Sequence, residues 1–193
     1  EVEVVGAGRT DAGVHARKMV AHFDWEGEEF DAGDLTHHLN NFLPKDIAVS
    51  DIRLVKPNAH ARFSALSRTY CYQLITAKDP FLHELAYRIH FTPNVEHMNA
   101  LCRVLMEYSD FTSFSKLHTD VKTNLCRIES AQWEKKGEHL YLFTITADRF
   151  LRNMVRAIVG TMLEAGYGKL DEQGFRHIIE AKDRSVAGDS VPG

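Results

Sequence analysis

A chain of 193 residues, 44% hydrophobic and 26% charged, has enough apolar side chains for one large domain or two small ones and too few of the hallmarks of disorder. Its formal net charge of −4 argues against a nonspecific nucleic-acid coat, although a local basic cleft stays open. Three cysteines without CxxC spacing and eleven histidines without convincing ligand spacing speak against a disulfide framework or a metal site and fit a reducing compartment. No apolar run approaches the ~20 residues that span a bilayer, and no signal peptide opens the chain.

Both ends read as cut. Residues 1–5 alternate as a strand without an initiating Met, and the chain stops after a loop at Ser190-Val191-Pro192-Gly193. A fragment is therefore expected. A returning strand over 17–25 follows a glycine-rich turn, and then a helix over 31–41 with Asp31 or Asp34 as cap. Residues 47–55 alternate imperfectly as another strand, and Lys56-Pro57-Asn58 is the best domain junction, dividing 1–57 from 58–193. Beyond it the pattern predicts a strand over 69–76 and a helix opened by Thr92-Pro93. Two strands over 124–134 and 139–147 are joined through Lys136-Gly137, and helices over 149–165 and 171–181 end the chain. Hairpins with intervening helices make an α+β protein, its helices lying against one face of an antiparallel sheet.

Three segments carry chemistry. In Gly8-Arg9-Thr10-Asp11-Ala12-Gly13-Val14-His15-Ala16, one carboxylate stands in a glycine-framed turn directly after a cation. Glycine lets a substrate approach the main chain closely, so Asp11 is presented to a ligand rather than packed in a core. An aspartate bonded to its own turn is the plainer alternative. The 149–165 helix, with Asp148 as its expected cap, sets Arg149, Arg152 and Arg156 along one border of an apolar arc. Cations at a helix start oppose the dipole, so the group calls for an anionic partner. In Arg62-Phe63-Ser64-Ala65-Leu66-Ser67-Arg68-Thr69-Tyr70-Cys71-Tyr72, Tyr70 and Tyr72 share a strand face, suited either to cross-strand packing or to stacking on a base.

Together these segments resemble the tRNA pseudouridine synthase A family over nearly the whole chain. The resemblance rests on GRTDAGVHA at 8–16, LNNFLPKDIAV at 39–49, ARFSALSRTYCYQL at 61–74, DFTSFSK at 110–116 and FLRNMVRAIVGTMLEAG at 150–166. Family members carry a further strand-rich segment before residue 1 and a final strand after residue 193. The resemblance implies a pseudouridine synthase fold, two ferredoxin-like halves sharing an antiparallel sheet with a basic central cleft. It implies a cytoplasmic homodimer that isomerises uridine to pseudouridine in the anticodon arm of transfer RNA, without metal or organic cofactor.

By motif position Asp11 is the catalytic aspartate, Tyr70 contacts the target base, and Arg156 pairs with Asp11, keeping it ionised. Arg9 helps hold the place of the flipped-out nucleotide, and Thr10, Gly13 and His15 complete the substrate-binding loop. Arg62, Arg68, Arg149 and Arg152 are expected on the RNA backbone. Two rivals are weighed against this. A nucleoside glycosidase would deploy two carboxylates about the scissile bond, and only Asp11 occupies such a loop. A catalytically silent RNA-binding module of the same fold would not need Asp11, Tyr70 and Arg156 intact.

Overall fold

The computed structural model describes residues 1–8, 10–116 and 123–193. The chain divides into two compact units, one of Glu1–Arg9 with Ala16–Ala65, the other of Thr10–His15 with Leu66–Gly193.

The first unit is sparse in regular structure. Strands β1 (Val5–Gly6) and β2 (Ala21–His22) pair antiparallel, far shorter than the runs at 1–5 and 17–25 predict. Helix α1 (Ala32–Phe42) starts where expected, with the Asp31 side chain accepting from the Asp34 N–H at 2.8 Å. The strand expected over 47–55 is not formed. The Asn40 side chain takes both backbone groups of Val49, donating to its carbonyl at 2.8 Å and accepting from its N–H at 2.7 Å. Those are the groups a sheet ladder at Val49 would use. Further along, two imidazoles organise the chain: His22 Nδ1 accepts from the Ala61 N–H, and His60 Nδ1 from the Arg62 and Phe63 N–H groups.

The second unit holds the core. Its sheet runs β4 (Tyr87–Arg88), β3 (Arg68–Ile75), β6 (Leu140–Ala147), β5 (Ile128–Lys136). The sheet is mixed rather than wholly antiparallel, because β4 pairs parallel to β3. Gly137, at φ +77, turns the hairpin between β5 and β6. Alternation puts Leu74, Tyr141, Phe143, Ile145 and Trp133 on one face, all buried. Threonines take the other, where Thr69 and Thr146 share a hydroxyl hydrogen bond at 2.8 Å.

Helices α2 (Val95–Leu105), α3 (Met154–Gly166) and α4 (Glu172–Ala181) bury their apolar stripes with this core. Trp133 stacks on Phe143 at 4.9 Å and points its indole N–H at the Met162 sulfur. Asn94 caps α2 and Asp171 caps α4. No helix among the described residues is long and apolar enough to cross a membrane.

Helix α3 begins later than the apolar arc predicts. It starts at Met154, preceded by Asn153 in the left-handed region at φ 68, not at 149 behind an Asp148 cap. Asp148 Oδ1 instead accepts from the N–H groups of Arg127 and Arg149, and the Arg152 carbonyl accepts from Lys116. These bonds keep 149–152 in a loop, so Arg149 and Arg152 are loop residues and only Arg156 lies on the helix.

Beyond α4 the chain runs back along α3 as an extended strap over 187–193. The Gly188 N–H donates to the buried Thr161 hydroxyl at 2.9 Å. At Gly160 the strap touches the helix itself: a Cβ there would stand 1.7 Å from the Asp189 carbonyl oxygen. Only glycine permits that approach.

Candidate active site

Asp11 sits in the short turn 10–15, which groups with the second unit. Val14 N–H reaches back to the Asp11 carbonyl, and Gly13 adopts φ +83, a conformation that glycine takes without strain. Arg156, in the first turn of α3, donates from Nη1 to Asp11 Oδ2 at 2.9 Å. The pair is partly open to solvent, with 31% of the arginine side chain and 37% of the aspartate side chain exposed. Among the described residues no donor engages Asp11 Oδ1. Among the described residues one carboxylate oxygen is thus held and the other has no donor, an arrangement compatible with nucleophilic attack.

Arg156 is held from behind. Its Nε donates to the Val191 carbonyl at 2.6 Å, and its own carbonyl accepts from the Val191 N–H at 3.2 Å. The next carbonyl along, that of Pro192, accepts from the Tyr72 hydroxyl at 2.7 Å. Burial pushes the Tyr72 phenol well above its ordinary range, against the opposing pull of Arg156, so it is a permanent donor at neutral pH.

Tyr70 lies two residues earlier on the same face of β3, opposite Ile145, with its ring set edge-on to Phe150 at 5.1 Å. Arg68 opens β3 and donates to the Asp148 carbonyl at 3.4 Å, while the Arg149 N–H donates to the Asp148 carboxylate. Of these arginines Arg68 reaches Asp148 with its guanidinium and Arg149 only with its backbone N–H, and Arg152 is exposed on the same loop. Thr10 and His15 are exposed in the Asp11 turn. Arg62 belongs to the first unit, its guanidinium 5.4 Å over the Phe63 ring. Arg9 lies outside the described residues.

Sequence reasoning singled out Asp11 and Arg156 and missed the strap and the hydroxyl of Tyr72 that secures it. The signal was faint: a tyrosine on the correct face, and Ser-Val-Pro-Gly read as a loop. Among the described residues no three His, Cys, Asp or Glu side chains gather as a metal site needs. Cys102 and Cys126 are buried thiols, pushed up by that burial to about 12 and about 11.

A mixed α+β protein that holds an arginine against a loop aspartate has counterparts of known class. A family model described as tRNA pseudouridine synthase matches residues 108–193. Over the whole chain the similarity extends to tRNA pseudouridine synthase A of Parabacteroides distasonis, 62% identical over 192 residues, covering 100% of this chain and 76% of that protein. The enzyme of the same name from Bacteroides fragilis is 58% identical, with 100% and 77% covered. That of Bacillus subtilis is 39% identical, with 100% and 78% covered. The chain belongs to the tRNA pseudouridine synthase A family of isomerases.

Proposed function

We propose that this chain isomerises uridine to pseudouridine in the anticodon stem-loop of transfer RNA, with Asp11 as the essential carboxylate. The observation that carries the reading is the Asp11–Arg156 pair, a loop carboxylate held through one oxygen by a helix arginine. The relatives named above supply the reaction class and the RNA substrate.

The reaction breaks the C1′–N1 bond of uridine, turns the base, and joins C5 to C1′. The proton lost from C5 goes to solvent and N1 gains one, so nothing is oxidised and no group departs. Asp11, attacking as a nucleophile, divides the exchange into two easier steps and is regenerated in the second. Arg156 holds it ionised and oriented. Tyr70 meets the extruded base, where stacking offsets part of the cost of unpairing. Thr10, Gly13 and His15 shape the turn around the nucleotide and Arg9 fills its vacated place, while Arg62, Arg68, Arg149 and Arg152 bind RNA phosphates. The same reading makes the protein a cytoplasmic homodimer of two ferredoxin-like halves per chain, working without a cofactor.

Tritium release from tRNA labelled at uracil C5 tests it, with the Asp11→Asn variant alongside. Release from the wild type that vanishes in the variant, with tRNA affinity kept within several-fold, is the expected result. Turnover near wild type in Asp11→Asn refutes the assignment, and release of free uracil would make the protein a glycosidase.

A further inference from the structure

We propose that Tyr72 is a positioning residue for the reaction: through Pro192 it fixes the strap whose Val191 carbonyl aims the Arg156 guanidinium at Asp11. The inference rests on the reading of Asp11 and Arg156 given above and extends it to residues that touch neither substrate nor the carboxylate.

The guanidinium is planar, and its donors point in fixed directions. Nε is committed to the Val191 carbonyl at 2.6 Å, which sets the plane of the group and leaves Nη1 directed at Asp11 Oδ2. The position of Val191 therefore decides where the active-site cation points. That position is secured at three places. Upstream, the Ser190 hydroxyl is bonded by Asn153 at 2.6 Å and by Arg184 at 2.9 Å. At Val191 itself the N–H is tied to the Arg156 carbonyl and the side chain is buried. Downstream, the anchor is the 2.7 Å bond from Tyr72 to the Pro192 carbonyl.

Pro192 has no N–H of its own, so its carbonyl is the backbone group through which this residue can be held, and the Tyr72 hydroxyl holds it. Tyr72 is well suited to the task. Its partly buried ring packs against the core from the middle of β3, a central strand, and its hydroxyl keeps its proton at neutral pH. The sheet thereby fixes the far end of the strap, and the strap fixes the arginine.

The test is Tyr72→Phe, which deletes one oxygen and keeps the ring, with Ser190→Ala cutting the other anchor away from the sheet. Tyr72→Phe removes one hydrogen bond and is expected to lower kcat about tenfold, and Ser190→Ala, which removes two, at least as much, with KM for tRNA held within twofold. In an Arg156→Ala background neither should cost anything further, since both act through that side chain. An NMR readout independent of turnover is the Arg156 Nε–H resonance, resolved and slowly exchanging in the wild type and lost or shifted in Tyr72→Phe. An unchanged resonance, or a loss that adds fully to that of Arg156→Ala, overturns the proposal. If Asp11→Asn proves active, the catalytic reading falls on its own, and the Nε–H resonance still decides whether Tyr72 sets the arginine.

Discussion

Asp11 and Arg156 lie 145 positions apart in the chain and meet at 2.9 Å, and the same guanidinium reaches the Val191 carbonyl on its other side. One planar cation thus joins the aspartate turn to the strap. A lysine has a single point charge on a flexible stem and cannot serve both contacts. Arg156→Ala is expected to lower kcat by about 10²–10³-fold, the usual consequence of removing a preorganised active-site donor. Arg156→Lys should recover only a small part. Single-turnover rates at saturating enzyme measure this directly, and a lysine variant as fast as wild type would show that charge alone suffices.

Gly13 holds the turn at φ +83, where a Cβ would stand 3.4 Å from the Gly193 carbonyl oxygen. Space is therefore adequate and the backbone angle decides the outcome. Gly13→Ala should cost about 1–2 kcal/mol through left-handed strain, read as a lower urea midpoint. Turnover should fall more than stability, because relaxation of the turn displaces Asp11. Equal stability of the two proteins would contradict the strain.

Ser113, within the short 3-10 helix at Thr112–Phe114, is fully buried between one partner in the last turn of α4 and one just beyond it. Its hydroxyl donates to the Ile178 carbonyl at 2.6 Å and accepts from the Asp183 N–H at 3.0 Å. Ser113→Ala strands both groups and should cost about 1–3 kcal/mol. Thermal or chemical unfolding checks it, with turnover at permissive temperature expected to stay near wild type. No loss of stability would mean that water replaces the hydroxyl.

Asp110 provides a pH test. Burial alone would raise its carboxyl, but bonds from the Thr112 hydroxyl, Lys182 and the Thr112 N–H outweigh that and hold it below its ordinary 3.8. A carboxyl whose pKa is depressed on folding stabilises the protein above its unfolded value. It loses that contribution as pH falls through the folded one. The Tm difference between wild type and Asp110→Asn should accordingly be constant near neutral pH and shrink below pH ~4. A difference that persists unchanged into that acid range would assign the stabilisation to shape rather than charge.

Much of the second unit could be read from residue order because its periodicities are strong. The alternation of Tyr141, Phe143 and Ile145 produced β6, and the glycine at 137 produced its hairpin. Of the two cap candidates Asp31 and Asp34 the first caps α1, and the helix expected over 171–181 starts behind Asp171. The start of α3 was hidden because apolar character continues unbroken from Phe150 and Leu151 into Met154, while long-range bonds to Asp148 and Arg152 hold the loop. The two-residue parallel strand β4 and the Asn40–Val49 exchange depend likewise on partners that local sequence does not reveal. For the site, a glycine-framed acid and an arginine without a near anion were legible separately. Their meeting was an expectation of family resemblance, and the strap behind them left only a faint signal, a tyrosine on the correct strand face.

The inclusion of Thr10–His15 in a unit otherwise made of Leu66–Gly193 bears on how such a protein can be recombined. A polypeptide beginning at residue 66 carries the arginine and no carboxylate, and one ending at residue 65 carries the carboxylate and no arginine. Neither piece is a portable cassette. A chimera that takes its first sixty-odd residues from a relative must import a six-residue insert matched to the host's α3 and strap. A substitution in the aspartate turn must therefore stay compatible with a helix and a strap some 145 residues further along the chain.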